Sequence, residues 1–184
     1  TVRRAPTMPV FVAYLKAELD GVSFVGPHTG KDRTFEIDVK NGMSDEVRER
    51  VTICSLDEIE LEGSRGISNL VLKFQDSAEK ASCSILGDED FKSRFKKKKE
   101  ALKQAPRALT AEDSGEWVPI VAFEARGKAV TKFHLGRGYL AVHSEGDAIF
   151  DDVDLGDGDW ADYDADADCS VSITDATTKV ELVR

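Results

Sequence analysis

Apolar and polar residues take turns along most of this chain, and that period of two constrains the fold more than any other feature. Phe35, Ile37 and Val39 alternate with Glu36, Asp38 and Lys40, and Leu70, Leu72 and Phe74 with Val71, Lys73 and Gln75. Successive side chains of an extended strand point to opposite faces, so such runs predict strands covered on one or both sides. Further strands are expected at 10–19, 50–54, 58–61, 81–86, 118–125, 131–135, 139–143, 169–174 and 179–183. The spacing predicts a single helix over 89–104. Asp88 is its N-cap, Glu89 and Asp90 lie in its first turn, Phe91, Phe95 and Leu102 form its apolar stripe, and Pro106 stops it. The chain therefore reads as mainly β.

A chain of 184 residues can form one core or two small ones joined tightly. Pro9-Val-Phe-Val-Ala-Tyr14 precedes Phe35, then Val51-Thr-Ile53, then Ile59-Glu-Leu61. Pro119-Ile-Val-Ala-Phe123 precedes Phe150, then Val171-Ser-Ile173, then Val180-Glu-Leu182. The shared order predicts two similar β-sandwich-like halves packed together, 9–87 and 109–184, with the Lys-rich helix and linker 88–108 inserted between them and an extension or scar at 1–8. Chance matching of short β patterns is the other reading.

The net charge of −10 argues against nucleic acid as a partner, because phosphate contacts need clustered Lys and Arg. No apolar run approaches the roughly 20 residues that span a bilayer, so no membrane association is expected. One segment runs against the overall charge. Between Phe91 and Arg107 lie eight basic residues and the single acid Glu100, giving +7 against −17 elsewhere. Lys92, Arg94, Lys96, Lys97, Lys98 and Lys99 are either a solvated face or a docking surface for an acidic protein partner of a monomeric chain. Cys54, Cys83 and Cys169 are odd in number and widely spaced, which suits reduced thiols and a cytoplasmic location. Arg3 and Arg4, in a first segment without acids, keep a mitochondrial presequence as the alternative. Cys83 and Cys169 sit in alternating patterns and read as small buried hydrophobes, with no catalytic thiol implied.

Nine aspartates crowd residues Phe150 to Asp168 around Trp160 and Tyr163. The run fails the EF-hand test, since counting from Asp152 or from Asp157 does not place the required residues at positions 5 and 6. It reads as an acidic loop whose aromatics rest on the sheet. The alternative is a divalent-metal-binding protein or enzyme using 151–168, with Asp152, Asp154, Asp157 and Asp159 as oxygen ligands for Ca²⁺ or Mg²⁺. A transition-metal site recruiting Cys54, Cys83 or the histidines is a third reading. His28, His134 and His143 have no metal-ligand spacing, although His134 and His143 could meet across strands. There is no P-loop, no GxSxG and no GxGxxG, and Gly136-Arg-Gly138 reads as a turn, so no catalytic residue is assigned and no enzyme is expected.

Five segments together carry a family resemblance: Leu61-Glu-Gly-Ser-Arg-Gly66, Ala111-Glu-Asp113, Phe123-Glu-Ala-Arg-Gly127, Phe150-Asp-Asp-Val-Asp-Leu155 and Asp159-Trp-Ala-Asp-Tyr-Asp164. The chain resembles the DUF866 family, also called UPF0587, the eukaryotic CXXC-motif-containing zinc-binding proteins, from about Val10 to Val183. Arg65, Gly66, Arg126, Gly127, Trp160, Asp162, Tyr163 and Asp164 match its signature positions. The resemblance implies two similar β halves, no established enzyme activity, and a structural zinc held by two CxxC pairs in the first half. Those pairs fall on Asn41-Gly-Met-Ser44 and Phe74-Gln-Asp-Ser77. Structural zinc needs soft or borderline ligands in a tetrahedron. Asn41, Ser44, Phe74 and Ser77 supply none, so a zinc-free, protein-binding or scaffolding member without a cofactor is expected, with Phe74 filling the vacated space.

Overall fold

The computed structural model describes residues 8–28, 32–62 and 66–183. Of the residues singled out above, Arg65 and the segment 1–7 lie outside the described residues. The strands in chain order are β1 (Val10–Asp20), β2 (Val22–Pro27), β3 (Thr34–Asn41), β4 (Val47–Cys54), β5 (Ile59–Glu60), β6 (Ile67–Ser68), β7 (Leu70–Lys73) and β8 (Lys80–Leu86). After α1 (Asp88–Phe95) and α2 (Lys99–Leu102) come β9 (Leu109–Thr110), β10 (Val118–Arg126), β11 (Lys128–His134), β12 (Tyr139–His143), β13 (Ile149–Val153), β14 (Trp160–Asp164) and β15 (Cys169–Leu182). The fold is mainly β, as the alternation implies. No helix among the described residues is long and apolar enough to cross a membrane.

A six-stranded sheet in the order β14-β15-β1-β10-β8-β7 is centred on the antiparallel pair β1 and β10, which runs from Val10 opposite Glu124 to Leu15 opposite Val118 with a register shift between Ala13 and Tyr14. Both faces of this pair are covered, which is why Val10 to Ala17 is nearly continuous in apolar residues instead of alternating with charge. Ala13, Leu15, Val121, Phe123 and Ala125 face the main core, while Val10, Val12, Tyr14 and Ala122 meet Phe91, Phe95 and Ala101 of the helices. In the main core Phe35 lies 6.4 Å from Phe123 and 5.5 Å from Phe133 between ring centroids, within the range of favourable aromatic pairing.

The two halves are joined strand by strand. β8 of the first half pairs with β10, and β15 of the second pairs with β1. β3 and β4 are completed by β11, just as β12 and β13 are completed by β2. Exchanging the halves therefore maps these pairings onto one another, the topology of an internal duplication, although β9 beside β2 and the β5–β6 pair have no counterpart. Backbone contacts repeat with the duplication. Gly21 and Gly127 both have positive φ, +67° and +73°, and turn β1 into β2 and β10 into β11. The Gly127 carbonyl accepts from Gly42 N–H at 3.1 Å, and the Gly21 carbonyl accepts from Ser144 N–H at 2.9 Å.

This topology corrects the strand matching drawn from spacing. β3 corresponds to β12, not to the strand at Phe150, and β4 corresponds to β13, not to Val171-Ser-Ile173. The segments 169–174 and 179–183 form one strand, β15, with a positive φ of 55° at Asp175. The helix prediction also needs correction. Gly87, not Asp88, is the N-cap of α1, and the helix breaks at Lys96–Lys98, where Lys98 N–H bonds the Phe95 carbonyl at 2.7 Å. An unbroken helix would place Lys92 and Lys99 each four residues from another lysine, Lys96 and Lys103, a destabilising like-charge spacing. The break also lets Ala101 and Leu102 fold back onto the apolar cluster of Phe91 and Phe95.

Candidate functional site

The first corner is built by two hairpin turns. Asn41 ends β3, and its Oδ1 accepts from Met43 N–H at 3.0 Å; Ser44 Oγ accepts from Glu46 N–H at 3.3 Å. In the turn between β7 and β8, Ser77 Oγ donates to the Glu79 carbonyl at 2.9 Å, and Phe74 is 1% exposed within the main core. The Glu46 carboxylate ties the turns together by accepting from Gln75 N–H at 2.7 Å. These are the positions that the resemblance assigns to zinc. An amide, two hydroxyls and a phenyl ring are not a zinc donor set, and Asn41 Oδ1 and both hydroxyls are already committed to their own turns. The residues present do not fit the metal.

One group at this corner is poorly matched. Lys128 lies directly opposite Asn41 in the β11–β3 ladder, 3% exposed, and its Nζ has no hydrogen-bond partner among the described residues; neither has Asn41 Nδ2. Burial pushes the Lys128 amine down to about 8, against a smaller opposing effect of Cys83. Cys83 is buried beside it, and burial pushes that thiol up to about 11. Cys83 is thus the small buried hydrophobe expected.

The equivalent corner of the second half holds what sequence reading missed. His143 N–H bonds the Ala148 carbonyl at 3.0 Å, as Asn41 N–H bonds that of Glu46 at 2.9 Å, so His143 stands where Asn41 does. Asp164 stands where Phe74 does. His143 Nδ1 is 2.7 Å from Asp164 Oδ2, both side chains being buried, and Cys169 Sγ is 3.3 Å from His143 Nε2. Asp164 Oδ1 accepts from the amides of Asp166 and Ala167 at 3.0 and 3.2 Å. The Ala167 amide, with lesser help from His143 and the Asp166 amide, holds the Asp164 carboxyl below the usual range. Gly146 covers the pair so closely that a Cβ there would lie 2.6 Å from His143 Nδ1 and 2.8 Å from Asp164 Oδ2. Cys169 is half-buried and bonded, not an inert hydrophobe. The signal was the duplication itself. Aligning turn with turn puts His143-Ser-Glu-Gly146 over Asn41-Gly-Met-Ser44.

The remaining candidates disperse. Lys96, Lys97, Lys98 and Lys99 are all exposed, and none has an ion pair among the described residues. Lys92 pairs with Asp88 at 2.6 Å, and Arg94 is half-buried against Glu124 and the Met8 carbonyl, so Arg94 pins the helix to the sheet and does not belong to a free basic face. The aspartates do not form one loop: Ile149–Val153 and Trp160–Asp164 are strands, and only 154–159 turn between them. Asp152 pairs with Arg137 at 2.7 Å, Asp154 bonds Gly156 N–H, and Asp159 bonds Asp175 N–H, so the proposed oxygen ligands do not converge. No group of three or more His, Cys, Asp or Glu among the described residues is placed to hold a metal. Trp160 packs against Phe150, centroids 5.2 Å apart, whereas Tyr163 is exposed, contrary to expectation.

His134 and His143 do not meet; His134 Nε2 is 2.6 Å from Asp38 Oδ1 on β3. His134 also lines a half-open groove of about 600 Å³ with Arg50, Arg137, Tyr139, Asp154 and Asp157. Gly127 turns β10 into β11 and Arg126 is exposed beside it, Gly66 bonds Leu61 N–H through its carbonyl, and Asp162 bonds Tyr163 N–H.

Residues 12–181 match the model of the eukaryotic family described as CXXC motif containing zinc binding protein. The protein of that description from Mus musculus is 31% identical over 89% of this chain and 92% of its own length. A UPF0587 protein of Schizosaccharomyces pombe is 26% identical over 91% of this chain and 94% of its own length. The crystal structure of C1orf123 superposes with a TM-score of 0.79 at 28% identity, covering 94% of this chain and 98% of that one. A hypothetical protein from Plasmodium falciparum shares the fold, with a TM-score of 0.78 at 19% identity over 94% of this chain and 99% of its own. The chain belongs to the eukaryotic family of CXXC motif containing zinc binding proteins.

Proposed function

We propose that this chain is a non-catalytic, protein-binding member of its family whose first corner is closed by packing instead of zinc. It docks an acidic segment of a partner protein through Lys96–Lys99. The observation that carries the reading is the run of four exposed lysines without an ion pair among the described residues, mounted on a helical hairpin, on a chain whose other residues sum to strong negative charge. A partner of opposite sign gains there both affinity and a faster encounter, and both fall with salt. Three cysteines without disulfides are in keeping with the cytoplasm as its compartment.

The test is reversal of Lys96, Lys97, Lys98 and Lys99 to Glu, followed by affinity recovery of partners at low and moderate salt. The expected result is loss of the salt-sensitive partners with an unchanged melt, because all four side chains are exposed. Recovery of the same partners by the reversed variant sinks the helical hairpin as the docking surface.

A further inference from the structure

We propose that Cys169 Sγ and His143 Nε2 form a two-donor chelate for a zinc-like divalent cation, in the second-half corner that mirrors the one where the family resemblance implies zinc. A tetrahedral zinc with Zn–S near 2.3 Å and Zn–N near 2.0–2.1 Å sets its S and N ligands roughly 3.6 Å apart. Cys169 Sγ and His143 Nε2 already stand 3.3 Å apart, so the cation enters with a small widening.

The imidazole is oriented for the task. An ionised carboxylate can only accept, so Asp164 takes a hydrogen bond from His143 Nδ1 and leaves Nε2, on the sulfur side, as the ring nitrogen open to a cation, the carboxylate–histidine arrangement that supports metal ligands. Asp164 is itself fixed by two backbone amides, and Gly146 packs against the pair so closely that an added Cβ would lie 2.6 Å from His143 Nδ1.

The surroundings favour a cation over an anion or an anionic substrate. Burial first, then the charges of Asp164, Glu145 and Asp168, hold the Cys169 thiol up and disfavour a bare thiolate. A bound divalent ion reverses that balance by taking the place of the thiol proton, which leaves to solvent as the S–metal bond forms. Sulfur and imidazole nitrogen select zinc, cobalt or cadmium over calcium and magnesium, which require oxygen ligands. No third His, Cys, Asp or Glu among the described residues is already in place, so water or an incoming group takes the other positions and the site is open. This inference does not depend on the docking surface.

The experiment is titration of Co²⁺ into the full chain with a phosphine reductant present, following the thiolate-to-cobalt charge-transfer absorbance. One saturable equivalent is expected, with the band abolished by Cys169→Ser, the affinity weakened at least about tenfold by His143→Gln and about 10- to 100-fold by Asp164→Asn, and both unchanged by Cys54→Ser or Cys83→Ala. Metal-free melts check that each variant folds; the half-buried, near-isosteric Cys169→Ser keeps the test decisive if His143→Gln does not fold. Absence of the band in the parent protein, its survival in Cys169→Ser, or its loss with Cys54 or Cys83 overturns the proposal.

Discussion

Replacing Lys128 with Met should make this protein more stable, and the gain should fade as pH rises. In the folded chain the amine is held near 8 against an ordinary value of 10.5, chiefly by burial, and Nζ has no hydrogen-bond partner among the described residues. The unfolded chain therefore binds more protons than the folded one between those two values, so the parent gains stability as pH climbs through that window. Below about pH 8 the full penalty applies. A difference of roughly 2.5 units at 1.36 kcal/mol each amounts to about 3 kcal/mol.

Met is unbranched and of similar reach, so it fills the site without the ammonium. At pH 7 Lys128→Met should gain up to about 3 kcal/mol, or roughly 6–12 °C for a chain of this size. Near pH 10.5 the advantage should shrink to less than about 1 kcal/mol. Cys83, held up to about 11, opposes the parent's gain above its ordinary 9.0, because there the folded state binds the extra proton. The parent's own curve should thus rise mainly between pH 8 and 9, and the difference between the two proteins reads Lys128 together with its smaller effect on Cys83. Urea melts of both proteins from pH 7 to 10.5 measure it. A destabilised Lys128→Met, or a gain that does not change with pH, refutes the reasoning.

Phe74→Ala removes a fully buried ring from the corner where the family resemblance implies metal and should cost about 3–5 kcal/mol in a urea melt; a loss below about 1 kcal/mol would mean that the ring does not hold the corner. Gly146→Ala should destabilise by roughly 1–3 kcal/mol, since its Cβ would collide with the His143–Asp164 pair. Gly136→Ala, with nothing within 4 Å of the added carbon, is the control and should stay within about 0.5 kcal/mol. Joint substitution of Asn41, Ser44, Phe74 and Ser77 by Cys should create stoichiometric zinc binding, measurable by elemental analysis; no gain of zinc would mean that these positions do not converge.

The strands with a clean period of two were legible in the sequence because one face of each packs on the core: β3, β8 and β12 lie almost where the alternation puts them. β2 was not, since Gly26-Pro27 signals a turn and its pairing with β12 is long-range. β13 and β14 were masked by aspartate, a residue depleted from strands, yet their ladders form because Phe150, Val153 and Trp160 face the core. The assignment of the family's CxxC pairs to 41–44 and 74–77 rests on the resemblance alone, while the packing of Phe74 in the main core is seen in the fold. The Cys169–His143–Asp164 cluster was not legible in the sequence, because its members lie 26 and 21 residues apart and only the meeting of two hairpin turns brings them together.

The central claim is that Asn41, Ser44, Phe74 and Ser77 close the first corner without a metal. The most direct measurement is zinc content together with the thermal melt of Cys169→Ser protein, with and without a strong chelator, so that the second corner cannot contribute. Negligible zinc and superimposable cooperative melts are predicted. Stoichiometric zinc, or a melt that the chelator lowers by several degrees, would contradict the account.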